Sequence, residues 1–294
     1  MRDLERRNES FASDLFVATY PARRHEVASW AGDAAVRHWI VDGDNGAPCG
    51  YAALWPVRPG RWRMDLIVAP DRRRRGLGAA ALAVLVERAR AGDAATLQAR
   101  TEAHELDALR FLAGHGFVET QRMSRLVLDV AGADVGDIAG DEARLAARGV
   151  AIVALDEEPV PGLWERFARV FNAARDGWPD PDPGVDPDPP LTADQLRAHY
   201  LRMVATFDSV DRCFLARRGD EYLGFTGVVG TGVDPRVRNQ GIATAIKRHA
   251  IADARRRGVA TIRTSSASPA MLHINQRLGF ATVGIEVRLV RRLR

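Results

Sequence analysis

Lysine is almost missing from this 294-residue chain: Lys247 is the only one, although lysine and arginine together number 42. Against 38 acidic residues the net charge is only +4, too small over this length to demand a polyanionic partner. The arginine run at 72–75 has no aromatic or groove-reading residues beside it, so no nucleic-acid partner is expected. Cysteine is equally scarce. Cys49 and Cys213 lie in separate halves and follow no ligand spacing, which excludes a disulfide framework and a zinc site and leaves two buried core thiols. No apolar stretch approaches the roughly 18–20 residues of a membrane helix, and the opening MRDLERRNES is charged rather than signal-like. A cytoplasmic protein with no membrane contact is the expectation. Neither the Gly-Lys-Ser/Thr of a Walker A loop nor a three-glycine dinucleotide fingerprint is present.

What the chain does contain is an internal echo. "PDRRRRGLGAAAL", residues 70–82, returns far downstream as "DPRVRNQGIATAI", residues 234–246. Arg73, Gly76 and Gly78 align with Arg238, Gly241 and Ala243 at a constant offset of 165 residues. Each copy later closes an apolar helix on Gly-Phe, in "ALRFLAGHGF" and "MLHINQRLGF". A period this long marks a duplicated domain rather than a solenoid repeat. The length also suits two domains of ordinary size. Residues 1–131 and 141–294 are the expected domains, with the glycine-punctuated 132–140 as linker.

Hydrophobic periodicity predicts the same order in both halves: helices, a strand meander, a helix, a strand, a helix and a last strand. The last strands are read at "RMSRLVLDV" and "TVGIEVRLV". This order predicts an α+β fold in two tandem copies, each a mixed, mostly antiparallel sheet with helices on both faces.

The recurring turn joins an apolar strand to a helix. The first NH groups of a helix lack internal partners and its dipole places roughly half a positive charge there. Glycines at 76 and 78 let the backbone approach a ligand closely, and Arg73–Arg75 raise the local potential. A pyrophosphate is the natural guest for several converging NH groups.

With hydrophobic strand, V-x-P, R-x-x-G-x-G/A, amphipathic helix, strand and Gly-Phe helix in one order and twice over, the chain resembles a tandem member of the GNAT superfamily of acyl-CoA-dependent N-acyltransferases. The arrangement is similar to that of mycothiol synthase. The resemblance implies transfer of an acyl group from acetyl-CoA to the amine of a small metabolite, directly, in a ternary complex and without a metal. It implies that the backbone at Arg73, Arg74, Arg75, Gly76, Leu77, Gly78 and Ala79 holds the CoA pyrophosphate, while Leu66, Ile67 and Val68 offer main-chain partners to the pantetheine arm. An NH near Val68 would face the thioester carbonyl as charge develops on it. The second copy offers Val233, Arg238, Asn239, Gln240, Gly241 and Ala243 by the same correspondence. A monomer or homodimer is expected.

The chain departs from the family pattern where many members carry a tyrosine four residues before the Gly-Phe glycine. Leu112 and Asn275 stand there. Asp65, Glu102 and Glu105 are the candidate general bases, with His104 beside them. His115 and His273 read as helix-end or surface residues. The aspartates of "DGWPDPDPGVDPDPP" (Asp176, Asp180, Asp182, Asp186 and Asp188) would attract an ammonium group, against a plain reading as a solvated loop. Between "EYLGFTGVV" and "TGVDP" there is almost no room for a hairpin and a full strand, and the first copy begins without its opening strand. The chemistry is therefore expected in the first copy, although in mycothiol synthase the C-terminal copy catalyses. A CoA-binding sensor or pseudoenzyme is the alternative, because both tyrosines are absent.

Overall fold

The computed structural model describes residues 1–3, 9–19, 35–43, 46–158, 160–175, 178, 189–207 and 212–294. The aspartates between 176 and 188 and the segment 20–34 lie outside the described residues. Two compact units are present: residues 1–121 together with 286–294, and residues 122–285.

In the first unit β1 (Arg2–Asp3), β2 (Arg37–Asp42), β3 (Pro48–Arg58) and β4 (Arg61–Val68) form an antiparallel meander. Helix α1 (Glu9–Thr19) falls between β1 and β2 in sequence, and the opening strand missing from the sequence reading is the two-residue β1. Helix α2 (Leu77–Ala91) then carries the chain to β5 (Thr96–Glu102), which pairs parallel with β4, and α3 (Leu106–Gly114) follows. Ala12 and Phe16 of α1 pack on Ile40, Tyr51, Ala53 and Ile67 on one face. Leu82, Leu85, Val86 and Ala89 of α2 pack with Trp39, Leu54, Met64 and Leu97 on the other. Those α2 positions recur at helical spacing, which is why one stripe is buried while Glu87 and Arg88 face outward. Gly92 ends α2, and its need is spatial: a Cβ there would stand 2.4 Å from the Trp62 ring.

The second unit repeats the pattern after α4 (Ile138–Ala146), a helix within and beyond the segment read as linker. Strands β7 (Val150–Ala154), β8 (Phe214–Arg218), β9 (Glu221–Gly227) and β10 (Gly230–Val233) form an antiparallel sheet in the order β10-β9-β8-β7. Helices α5 (Leu163–Arg175) and α6 (Ala193–Phe207) lie between β7 and β8 in sequence, and Phe167, Phe171 and Leu196 from them pack on Leu215 and Phe225. The opposite face takes α7 (Ile242–Arg256) through Ile242, Ala245 and Ile246.

The last strand of each copy is exchanged. In β12 (Ala281–Arg292), residues Glu286 to Arg292 pair antiparallel with β5, from Glu286↔Glu102 to Arg292↔Thr96, and so complete the first unit. In β6 (Val118–Asp129), residues Ser124 to Asp129 pair with β11 (Thr261–Ser266) of the second unit. Val287, Leu289 and Leu293 are buried in the first unit's core, whereas Leu126 and Leu128 join Ile251, Leu278 and Phe280 in the second. Helix α8 (Pro269–Arg277), capped by the Ser268 hydroxyl accepting from the Met271 NH, precedes β12.

Candidate active site

The two turns singled out in the sequence have the same backbone. Each begins with a short 3-10 turn on proline, Pro70–Arg72 and Pro235–Val237. Each then places two residues in the left-handed region: Arg74 at φ 64° with Gly76 at φ 80°, and Asn239 at φ 61° with Gly241 at φ 80°. Arg73 Nε donates back to the Val68 carbonyl at 3.0 Å, and Arg238 Nε to the Val233 carbonyl at 3.4 Å. A left-handed residue costs a side chain of L configuration roughly 1–2 kcal/mol, which explains glycine at the helix start. Open space also surrounds that start, since a Cβ on Gly76 or Gly241 would meet nothing within 4 Å. The leading NH groups of α2 and α7 thus face open space, with three arginines exposed at the first turn.

In the first unit the cradle opens onto a gap between strands. The β4–β5 ladder runs only from Arg61↔Thr96 to Arg63↔Gln98. Beyond that rung Met64–Val68 and Ala99–Glu102 diverge, so the main chain of Leu66, Ile67 and Val68 borders the opening on its β5 side.

Sequence similarity decides what this architecture is. The acetyltransferase (GNAT) family matches residues 4–117 and 168–280. The chain belongs to the acetyltransferase (GNAT) family, twice over. Both matched stretches stop at the Gly-Phe corner, ahead of the exchanged strands β6 and β12. Among solved structures, a GCN5-related N-acetyltransferase from Sphaerobacter thermophilus aligns with a TM-score of 0.72 at 18% identity, over 100% of this chain and 95% of that one. A tandem GNAT protein from the clavulanic acid biosynthesis pathway aligns with a TM-score of 0.68 at 19% identity, over 100% of this chain and 97% of that one. At these identities the likeness establishes the shared tandem fold. No curated protein matches the chain.

Within this GNAT pair the acid–base candidates separate. Asp65 and Glu102 both lie on the sheet face that bears α1, and both are buried. Strand alternation puts Arg63 and Asp65 in line with Ile67 and carries Gln98, Arg100 and Glu102 onto the same face. Through the β12 register, Glu286 and Arg288 join them. Glu105 lies past the end of β5 at the N-cap of α3: its backbone NH donates to the Glu102 carbonyl at 3.0 Å, and its side chain lies 3.6 Å from His104 and caps nothing. The sequence reading missed His38 and Tyr51. The His38 ring nitrogen Nδ1 and the Tyr51 hydroxyl are 2.8 Å apart, and His38 lies in one register row with Ala53 and Asp65. Their signal was the period-2 alternation of the first hairpin, but nothing local marked that face as polar.

The tyrosine positions are equivalent in space as well as in sequence. The Leu112 carbonyl accepts from the Phe117 NH and the Asn275 carbonyl from the Phe280 NH, both at 3.1 Å. Leu112 is core packing. Asn275 is fully buried, and its amide finds no partner among the described residues. Neither supplies an acid. His115 is held at its own helix end, Nδ1 lying 2.8 Å from the Phe111 carbonyl oxygen.

In the second unit the loop survives but the adjacent face is filled. β10 has four residues where β4 has eight, and it keeps the end that leads into the loop. The shortening read from the sequence is therefore real. What is lost is the half corresponding to Arg61–Met64, the part through which β4 pairs with β5, and no β10–β11 ladder occurs among the described residues. The residue 165 positions after Asp65 is Gly230. A Cβ on Gly230 would stand 3.5 Å from the Trp178 ring, and one on Gly232 would stand 2.7 Å from Ala174 and Phe225. Phe171 stacks on Phe225 at 5.4 Å and meets Trp178 edge-on at 5.7 Å. An aromatic core occupies the station that carries charged side chains in the first unit.

No group of His, Cys, Asp and Glu among the described residues is arranged to hold a metal ion, and no helix of the described chain is long and apolar enough to cross a membrane.

Proposed function

We propose that the protein is an acetyl-CoA-dependent N-acetyltransferase whose chemistry takes place in the first unit, on the amine of a small metabolite. The observation that carries this reading is the conjunction, in that unit alone, of a left-handed arginine and glycine cradle, a parted β4–β5 pair and buried carboxylates on the face beside the gap. The cofactor supplies an activated acyl thioester. The residues present fit it: the turn from Arg73 to Ala79 leads into the first NH groups of α2 beside open space at Gly76, and Leu66–Val68 lie beyond the last β4–β5 rung, where their main chain can meet an extended amide-bearing arm.

Asp65 is the residue assigned to hold and then relieve the acceptor amine of its proton. Buried carboxylates beside a strand gap are placed to bind an ammonium group, and removal of one proton makes that amine nucleophilic. Holding both substrates in line supplies proximity, the larger part of what amine acylation requires. With Leu112 in the tyrosine position, no side chain there protonates the departing thiolate, which is a tolerable leaving group. Direct transfer belongs to this reading: among the described residues, Met64–Val68 and Ala99–Glu102 beside the gap include no cysteine or serine.

A second reading applies to the second unit: its cradle is kept while its acceptor face is packed with aromatic rings, so it binds CoA without turnover. Titration calorimetry with acetyl-CoA, followed by thiol release across an amine panel, tests both. Binding with turnover abolished by Asp65→Asn supports the assignment; turnover unaffected by Asp65→Asn and lost with changes at Gly241 would move the chemistry to the second unit.

A further inference from the structure

The buried face of the first unit sorts its charges unequally. Under α1 it is apolar, through Ile40, Tyr51, Ala53 and Ile67. Past β4 it carries three arginines, Arg63, Arg100 and Arg288, and three carboxylates, Asp65, Glu102 and Glu286. Glu286 takes up two of the cations: Arg288 Nε donates to it at 2.9 Å and Arg100 Nη1 lies 3.9 Å away. Arg63 is different. Its side-chain hydrogen bond goes to the neutral Gln98 Oε1, at 3.2 Å, and no described carboxylate lies within ion-pair distance of it. Withdrawal from water, together with the neighbouring Arg100 and Arg288 guanidiniums, pulls its pKa down to about 9, so at neutral pH it remains a cation in a field that disfavours it. The hydrogen bond to Gln98 coincides with the last rung of the β4–β5 ladder, so this guanidinium sits at the mouth of the gap. Asp65 is two residues along the same strand on the same face, about 6.6 Å away at the usual rise per residue.

Resting on the assignment of transfer to this unit, we infer that the acceptor is an amine that also bears a carboxylate, its ammonium group directed to Asp65 and its carboxylate to Arg63. A planar guanidinium fork suits a carboxylate. A single guanidinium with no carboxylate at ion-pair distance also matches one negative charge, where a phosphate dianion would call for two. Residues two apart on one strand face, with Cα atoms about 6.6 Å apart at the usual rise, offer anchors that the backbone of an amino acid can span with one hydrogen bond at each end.

The test uses the full chain, matched pairs of α-amino acids and their decarboxylated amines, and an aminoalkyl phosphate as a third arm. Acetyl-CoA affinity is measured first by calorimetry; absence of binding would overturn the parent assignment and this inference with it. With binding established, the expected result is that an amino acid exceeds its decarboxylated partner at least tenfold in kcat/KM. Arg63→Gln should erase that preference mainly through KM, Arg63→Lys should restore part of it, and acetyl-CoA affinity should stay unchanged in both. Equal or better use of the decarboxylated amine or of the phosphate, a preference that survives Arg63→Gln, or failure of every amino acid with the cofactor bound would overturn the inference while leaving the cofactor site standing.

Discussion

Gly76 and Gly241 adopt the same left-handed backbone, φ 80° in each, at the first turn of helices 165 residues apart in the chain. The residues two positions earlier, Arg74 and Asn239, share the left-handed region as well. Duplication has kept the cradle in both units while the neighbouring strand has shortened in one, and the consequences of that divergence can be measured.

Acetyl-CoA at about a hundred times its Kd should stabilise the unit that binds it by about 2.7 kcal/mol, a rise in Tm of about 5–10 °C. Gly76→Val forces a β-branched side chain into the left-handed region and into the open cradle, and should abolish the shift of the first unit. Gly76→Asn tolerates that backbone and serves as the folding control. Scanning calorimetry of each variant, with the Gly241→Val counterpart, counts the sites. Two sites in the parent and one in each valine variant is the expected count.

Asp65→Asn keeps the volume of a buried side chain and removes its basicity. Turnover should fall about a hundred- to ten-thousand-fold, the usual contribution of a positioned base. Acetyl-CoA affinity, read by calorimetry, should not move. A loss of less than about threefold in kcat would relieve Asp65 of that role.

The exchanged strand makes a separate prediction about stability. Leu289 is buried in the first unit's core although it stands near the end of the chain. Leu289→Ala should destabilise that unit by about 2–5 kcal/mol. Hydrogen exchange should then accelerate in β5, the strand that β12 pairs with, and not in β8 or β9. Protection lost in the second unit instead would contradict the observed register.

Asp234 introduces the second loop, accepting from the Arg236 NH and pairing with its guanidinium at 2.7 Å. The side-chain hydrogen bond to Arg236 leads the causes that hold this carboxyl below its ordinary value. A carboxyl whose folded pKa is depressed stabilises the fold above its unfolded pKa, about 3.9, and loses that contribution as pH falls through the folded value. The parent should therefore lose more stability than Asp234→Asn when denaturation midpoints are compared between pH 5 and pH 2. Parallel losses would show that the pairing adds nothing.

Much of this is legible in the sequence. Pro70, Arg73, Gly76 and their partners 165 residues on announced the loops, because a strand-to-helix turn with a left-handed residue has few chemical solutions. The alternation in "RMDLIVAP" and the stripe Leu82, Leu85 and Val86 located β4 and α2 for the same kind of reason. The position of Glu105 was legible, but not that it leaves the strand that carries Glu102, because a strand end and a helix cap one turn later look alike in sequence. His38 and Tyr51 escaped notice since their relation crosses two strands.

The sequence by itself determined the duplication, the order of elements and the two cradles, all of which depend on residues close together in the chain. Tertiary structure alone decided that Glu286 and Arg288 stand beside Glu102 and Arg100, and that Gly230 lies under Trp178 where the first copy has Asp65. Both last strands carry the same alternating pattern, so either would suit either sheet edge locally. The choice rests on long-range packing, with Val287, Leu289 and Leu293 filling one core and Leu126 and Leu128 the other.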